Sequence, residues 1–200
     1  MQSIFIVLSI LFLANLQGKG QKKEDVISDK DFYQFEILRS GAITPQGWIK
    51  KQLKRDLNQG YIGHYDDVHH TVNHEVFKNQ NRISRRRFSL RKEWWSGEHE
   101  GYWKDAVIRM AFLTSDSSYI NQMKSWMDEL LQNTNENGYI GIYRDCEATG
   151  CRFNHERGNG ELWATSRVLM AMLAYYEFTG DQKFLDAAQK ATELVMEQYQ

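Results

Sequence analysis

The sequence predicts an all-α fold of repeated helical hairpins, with a short β-hairpin in one connecting loop. Two observations carry this expectation. Residues 98–133 and 161–198 follow one pattern: an amphipathic helix, a Thr-x-Asp turn, then a second amphipathic helix. Thr114-Ser115-Asp116 and Thr179-Gly180-Asp181 stand 65 positions apart, and the same offset pairs Tyr119 with Phe184, Ile120 with Leu185, Met123 with Ala188 and Leu130 with Val195. In each hairpin, moreover, the first helix is apolar most of the way round and the second only along a stripe. Two helices cannot bury their apolar faces alone, so neighbouring hairpins complete one another's core. Inner and outer helices alternating in this way produce a closed ring.

The elements follow in order. Ile4 to Leu16 is an apolar run too short to cross a bilayer, followed by Gly18-Lys19-Gly20. Small residues at those positions predict a signal peptide over residues 1–20 and a secreted or periplasmic protein. The weak positive start, Met1-Gln2-Ser3, leaves a buried first helix as the alternative. Residues 21–34 are charged and read as a linker. The domain spans 35–200. Phe32, Phe35, Ile37 and Leu38 suggest a short extended or turn segment leading to a helix capped by Thr44, with Pro45 in its first turn. Trp48, Ile49, Gln52, Leu53 and Leu57 mark its buried side, and Gly60 ends it. Tyr61 to Arg91 is polar, with almost no helical periodicity, and loops of that length are usually either functional or disordered.

The first hairpin is expected to open at Ser96, with Glu98 and Glu100 at the positive end of the helix dipole. Trp103, Ala106, Val107, Met110, Ala111 and Leu113 give its inner helix a broad apolar face. Ser117 to Gln132 is its outer helix. Asn137-Gly138 supplies a tight turn before a short apolar strand, Tyr139 to Tyr143, and together these predict the β-hairpin. Leu162 to Phe178 and Phe184 to Tyr199 form the second hairpin.

A net charge of −1 gives no electrostatic case for nucleic acid or an anionic membrane as partner. The basic run Arg82, Arg85, Arg86, Arg87, Arg91 and Lys92 reads as a solvated connector, or as a holder of acidic sugar groups. Cys146 and Cys151 lie in a polar loop, where a disulfide is the simplest account in an oxidising compartment. A zinc site there would need two more ligands, for which only His155 and Glu147 lie near.

Chemistry is therefore expected in the loops. Trp94, Trp95, Glu98, His99 and Glu100 combine aromatic surface with carboxylates, as sugar sites do, although capping and core packing account for the same residues. Glu147, His155, Glu156, Arg157 and Glu161 form a second cluster; paired carboxyls perform glycoside hydrolysis, but loops are rich in Glu by default. His64, His69, His70 and His74 include an i, i+4 pair at His70 and His74, yet no HExxH pattern completes a metal motif. No GxSxG, Walker or GxGxxG motif appears, so acyl transfer and nucleotide chemistry lack support.

Four segments together carry a resemblance: Gly41-Ala42-Ile43-Thr44-Pro45-Gln46-Gly47-Trp48-Ile49, Gly97-Glu98-His99-Glu100-Gly101-Tyr102-Trp103, Asn137-Gly138-Tyr139-Ile140-Gly141, and Tyr175-Tyr176 with Thr179-Gly180-Asp181. In this order they resemble the amino-terminal part of the beta-L-arabinofuranosidase family, glycoside hydrolase family 127, over roughly residues 35 to 200. The resemblance implies part of an (α/α)6 barrel, a retaining mechanism, a zinc-bound cysteine nucleophile and a glutamate acid/base. It places those catalytic groups in the later part of the family's barrel, so no cofactor and no catalytic residue is assigned within these 200 residues. Zinc is expected only in the full-length family enzyme. The implied function is hydrolysis of terminal arabinofuranosyl linkages, with an arabinose-containing glycan as partner and Trp94, Trp95, Glu98, His99 and Glu161 binding it. Two other readings are an unsaturated uronide hydrolase, for which Asp105 and Asp145 are the carriers, and a non-catalytic helical-repeat binding module.

Overall fold

The computed structural model describes residues 35, 37–68, 75–78, 82, 92–147, 150–154 and 160–199, except for the side chains of 68 and 92–94. These belong to two compact units, 1–38 and 39–200. The signal peptide expected over 1–20 and the linker expected over 21–34 lie outside the described residues. In the first unit the described Phe35, Ile37 and Leu38 are exposed and form no helix or strand.

The second unit is all-α. Its described helices are α1 (Gly47–Asn58), α2 (Tyr65–Val68), α3 (Lys92–Thr114), α4 (Ser117–Gln132), α5 (Glu161–Thr179) and α6 (Gln182–Gln198). The helices α3 and α4 form one hairpin, α5 and α6 the next, and the most extensive contact is between α3 and α5. These two are the helices that the sequence pattern marks as inner. They run in parallel, since Gly97 lies against Ala164 and Gly101 against Arg167 and Val168. Both glycines are needed for this approach. A Cβ on Gly101 would meet the Arg167 backbone carbon at 2.6 Å, and one on Gly97 would meet Ala164 and Ile142 at 3.0 Å.

The core is continuous across the seam. Val107, Ile108 and Ala111 from α3 meet Ala164, Val168, Ala171, Met172 and Tyr175 from α5, with Met123, Trp126, Met127 and Leu130 of α4 and Phe184 and Ala188 of α6 closing the outside. Aromatic contacts join the two hairpins: Phe112 stacks on Phe178 at 4.9 Å and meets Tyr175 edge-on at 5.9 Å.

The Thr-x-Asp turns work as a repeated device. Thr114 Oγ1 donates to Met110 O and Thr179 Oγ1 to Tyr175 O, both at 2.8 Å, closing each inner helix. Asp116 and Asp181 then cap the outer helices by accepting from the backbone N–H of Tyr119 and Lys183.

Several boundaries differ from expectation. The first inner helix starts at Lys92 rather than Ser96, so the Trp94-Trp95 pair lies within it. Helix α1 starts at Gly47 behind Gln46, not at Pro45 behind Thr44, and Gln46 makes no side-chain cap. Only Leu57 of the expected apolar side of α1 is fully buried, while Trp48 is 76% exposed. Residues 135–142 form no strand among the described residues: the anticipated β-hairpin is a turn followed by a buried loop. The reason is local. Tyr139 Oη reaches back to accept the Tyr143 backbone N–H at 3.1 Å, and Arg82 takes the carbonyl of Gly141. A ladder would need those backbone groups.

Candidate functional site

The first two turns of α3 assemble the first cluster. Because the helix already includes Trp95, this residue and His99 are one turn apart on the same side, and their rings lie 6.0 Å apart. The turn before α2 faces them. Trp103 Nε1 donates to Ile62 O at 2.6 Å, fastening that segment to α3, and Tyr65 Oη is hydrogen-bonded to His99 Nδ1 at 2.6 Å. Tyr61 packs against Tyr65 at 4.9 Å. Burial raises the Tyr65 phenol above its ordinary value, with Tyr61 and the negative charge of Glu98 acting in the same direction. One oxygen of Glu98, Oε2, is enclosed without a hydrogen-bond partner among the described residues. Trp95 is 40% exposed. An indole surface, an imidazole, a carboxylate and two phenols thus converge. Trp94 lies in α3, but its side chain is outside the described residues.

Glu161 stands in a different network. It is 2% exposed; Oε1 accepts from Tyr139 Oη at 2.8 Å and Oε2 from the Phe153 backbone N–H at 2.9 Å. Burial holds the Tyr139 phenol well above its ordinary value, reinforced by Glu161. Arg82 and Arg152 sit over the Tyr139 ring at 5.0 and 4.9 Å. Arg82 also donates to the carbonyls of Gly141, Asn133 and Tyr139 and to Asn135 Oδ1, and is buried. Desolvation lowers it to about 10, so it stays charged at neutral pH. Its expected role in a solvated connector is thereby corrected: the loop carbonyls it clamps compensate the desolvation. The rest of that run lies outside the described residues, Lys92 by its side chain alone.

Glu100 and Lys104 form a buried pair, 3.8 Å apart, with the amine 3.9 Å from the Trp103 ring. Burial lowers the Lys104 amine, opposed by Glu100 and Asp66. Asp105 is held by Arg109 Nε at 2.9 Å, and its carboxyl is raised by burial against that pull. Asp145 is paired with Arg152.

Cys146 and Cys151 are joined in a disulfide, their Cα atoms 5.6 Å apart. With both thiols in that bond, and no group of three or more His, Cys, Asp or Glu side chains placed to hold a metal ion among the described residues, the described residues do not fit a zinc site. His64 lies against Asn58 O at 3.2 Å and Asp67 at 3.3 Å, which raise its imidazole in that order. His69, His70, His74, His155, Glu156 and Arg157 lie outside the described residues.

Sequence reasoning missed Tyr61 and Tyr65 and read Arg82 as solvated; all three come from a segment without periodicity. Only the reach of Tyr65 across 34 positions to His99 reveals it.

A family model described as beta-L-arabinofuranosidase, GH127 catalytic domain, matches residues 43–200. No curated protein and no solved structure matches the chain. No described helix is long and apolar enough to cross a membrane.

Proposed function

Since the chain belongs to the beta-L-arabinofuranosidase GH127 family of glycoside hydrolases, we propose that it forms the amino-terminal part of a catalytic domain that hydrolyses terminal arabinofuranosyl linkages. In this reading Trp95, Glu98, His99 and Tyr65 contact the sugar and Trp94 lies beside them. The observation that carries it is the convergence of these groups at the start of α3, with Glu98 Oε2 enclosed and without a partner among the described residues. A sugar offers C–H faces to the indole and hydroxyl donors to the carboxylate. The parallel inner pair α3 and α5 supports a partial (α/α)6 barrel, which puts helix starts and loops at one end. Glu161 acts here by positioning: from the start of α5 it ties the 139–143 loop to the Phe153 backbone.

The test is activity and affinity in the intact catalytic domain of which this chain forms the amino-terminal part. Glu98→Ala and Trp95→Ala each weaken affinity for methyl β-L-arabinofuranoside by about tenfold, the loss of one charged hydrogen bond or one stacking surface. Unchanged turnover and affinity in both variants would remove this site. A panel of arabinofuranosides and unsaturated uronides separates the reaction classes, and cleavage of the uronides alone would overturn the assignment. Export is part of the same reading. A mature product beginning at Gln21 supports it, and one retaining Met1 in the cytoplasm opposes it.

A further inference from the structure

The loop between the two hairpins carries a clasp that the proposed site does not use. Cys146 and Cys151 are bonded, and around that bond Arg152 N donates to Arg144 O at 3.0 Å, Gly150 N to Asn154 O at 2.6 Å and Asn154 Nδ2 to Glu147 O at 3.1 Å. Asp145 pairs with Arg152 across the same turn. The residues that leave the clasp dock it on the domain. Arg152 stands over the Tyr139 ring at 4.9 Å, the Phe153 ring meets Tyr139 edge-on at 5.6 Å and Tyr199 at 6.0 Å, and the Phe153 backbone N–H reaches Glu161 at 2.9 Å.

From there the contacts run to the start of α3. Tyr139 Oη donates to Glu161 and accepts from the Tyr143 backbone N–H, which bends the 139–143 loop. Ile142 of that loop lies against Gly97, 3.0 Å from where a Cβ would stand, and Gly97 precedes Glu98. The clasp therefore backs the carboxylate through packed groups: Phe153 on Tyr139 and Glu161, then Ile142 on Gly97.

The two sulfurs differ in access. Cys146 is exposed and Cys151 is 0% exposed, so a thiolate arriving from solvent reaches Cys146 Sγ. It forms a mixed disulfide there while the Cys146–Cys151 bond breaks, and Cys151 leaves with the electron pair as a thiolate. The second thiol of a dithiol reductant then attacks the reductant's own sulfur in the mixed disulfide. The reductant departs as a cyclic disulfide, oxidised by two electrons, Cys146 is released as a thiolate, and the two protons given up by the dithiol return to the cysteines through water. The charge released at Cys151 is enclosed, and it meets water only when 150–154 lifts from its seat. Reduction and opening are thus one event.

We infer that the Cys146–Cys151 bond is a redox clasp on the site. Oxidised, it holds the 139–143 loop and with it Glu98; reduced by a dithiol, it lets 150–154 lift from Tyr139 and Glu161 and weakens sugar binding. The effect on sugar rests on the functional reading above, whereas the coupling of the bond to the loop does not.

Hydrogen exchange read by mass spectrometry on the intact catalytic domain, with and without excess dithiothreitol, tests the coupling; alkylation of both cysteines confirms reduction. The backbone N–H groups of Tyr143 and Phe153 exchange faster on reduction, by up to about 40-fold, the factor by which closing so short a ring narrows the open ensemble. Helices α4 and α6 keep their protection, and oxidation with diamide restores the slow rates. Cys146→Ser, at the exposed end, behaves as the reduced form without reductant and does not respond to it; where that variant fails to fold, the wild type under reduction carries the test. Titration with methyl β-L-arabinofuranoside gives an affinity lower by up to about tenfold in the reduced protein and in Cys146→Ser, the whole of the Glu98 contact. Unchanged exchange at Tyr143 and Phe153 once both cysteines are alkylated overturns the inference, as does loss of protection throughout α4 and α6, which would make the bond a staple of the whole fold. Faster exchange with equal sugar affinity in both forms overturns control of the site. Should the oxidised protein bind no sugar while reduction still frees Tyr143 and Phe153, the functional reading fails and the redox coupling of the loop stands.

Discussion

The two hairpins share their turns and differ in what they carry between them. Thr114 and Thr179 make the same back-bond, Asp116 and Asp181 the same cap, and Ser115 and Gly180 the same left-handed pivot, with φ of 57° and 69°. The inner helices, by contrast, have diverged. Helix α3 buries Glu100 with Lys104 and uses Gly97 and Gly101 to approach its neighbour; α5 places Thr165 and Ser166 at the positions equivalent to Glu100 and Gly101. Repetition therefore preserves the backbone junctions. The positions facing the partner helix and the outward stripe are left to vary, and the chemistry lies there.

The loop joining the hairpins depends on one buried cation, and its removal is the largest expected effect. Arg82→Met strands the carbonyls of Gly141, Asn133 and Tyr139 in an enclosed space. It should cost about 3–5 kcal/mol in denaturant unfolding, because the groups left behind cannot reach water. A loss below about 1 kcal/mol would mean that solvent reaches those carbonyls.

This contrast also explains what could be read from the chain. The hairpins were legible because helical periodicity and Thr-x-Asp punctuation are local signals; Ser117–Gln132 was bounded at both ends. Arg82 was not, since a lone arginine in an aperiodic basic run looks solvated until the carbonyls it serves fold around it. Trp95, Glu98 and His99 could be chosen by residue type. Tyr65 could not, because its partner is on another element. The apolar side expected for α1 failed at Trp48, since amphipathic pattern alone does not say how much of a helix finds a neighbour.

The close approach of the inner helices gives the next effect. Gly101→Ala forces a Cβ onto the Arg167 backbone; about 3 kcal/mol of overpacking, less about 1 kcal/mol gained in helix propensity, leaves a net loss of about 2 kcal/mol. Its counterpart Ser166→Ala, on a half-buried position, should stay within about 0.5 kcal/mol. Equal losses at the two positions would show that the seam is not built on Gly101.

The pivots allow an exchange. Gly180→Ser places a side chain in the left-handed region and should cost about 1 kcal/mol, whereas Ser115→Gly should be neutral or slightly stabilising. Matching signs for the two variants would show that the turns are not equivalent.

The smallest effect concerns the charge link between the outer helices. Asp128 of α4 accepts from Lys124 Nζ at 2.7 Å and from Lys183 Nζ of α6 at 3.1 Å, and these bonds hold its carboxyl below the ordinary 3.8. A depressed carboxyl stabilises the folded state fully above its unfolded value, so this contribution is intact above pH 3.8 and is lost as pH falls from there toward the folded value. The lysines are exposed, so the link is weak and screened by salt. Unfolding midpoints measured from pH 7 to 2.5 should therefore fall less steeply below pH 4 in Asp128→Asn than in the wild type. The difference should vanish in 1 M salt, where the Debye length is about 3 Å. A difference that persists in high salt would place this link in the packed interface of the two hairpins rather than on its surface.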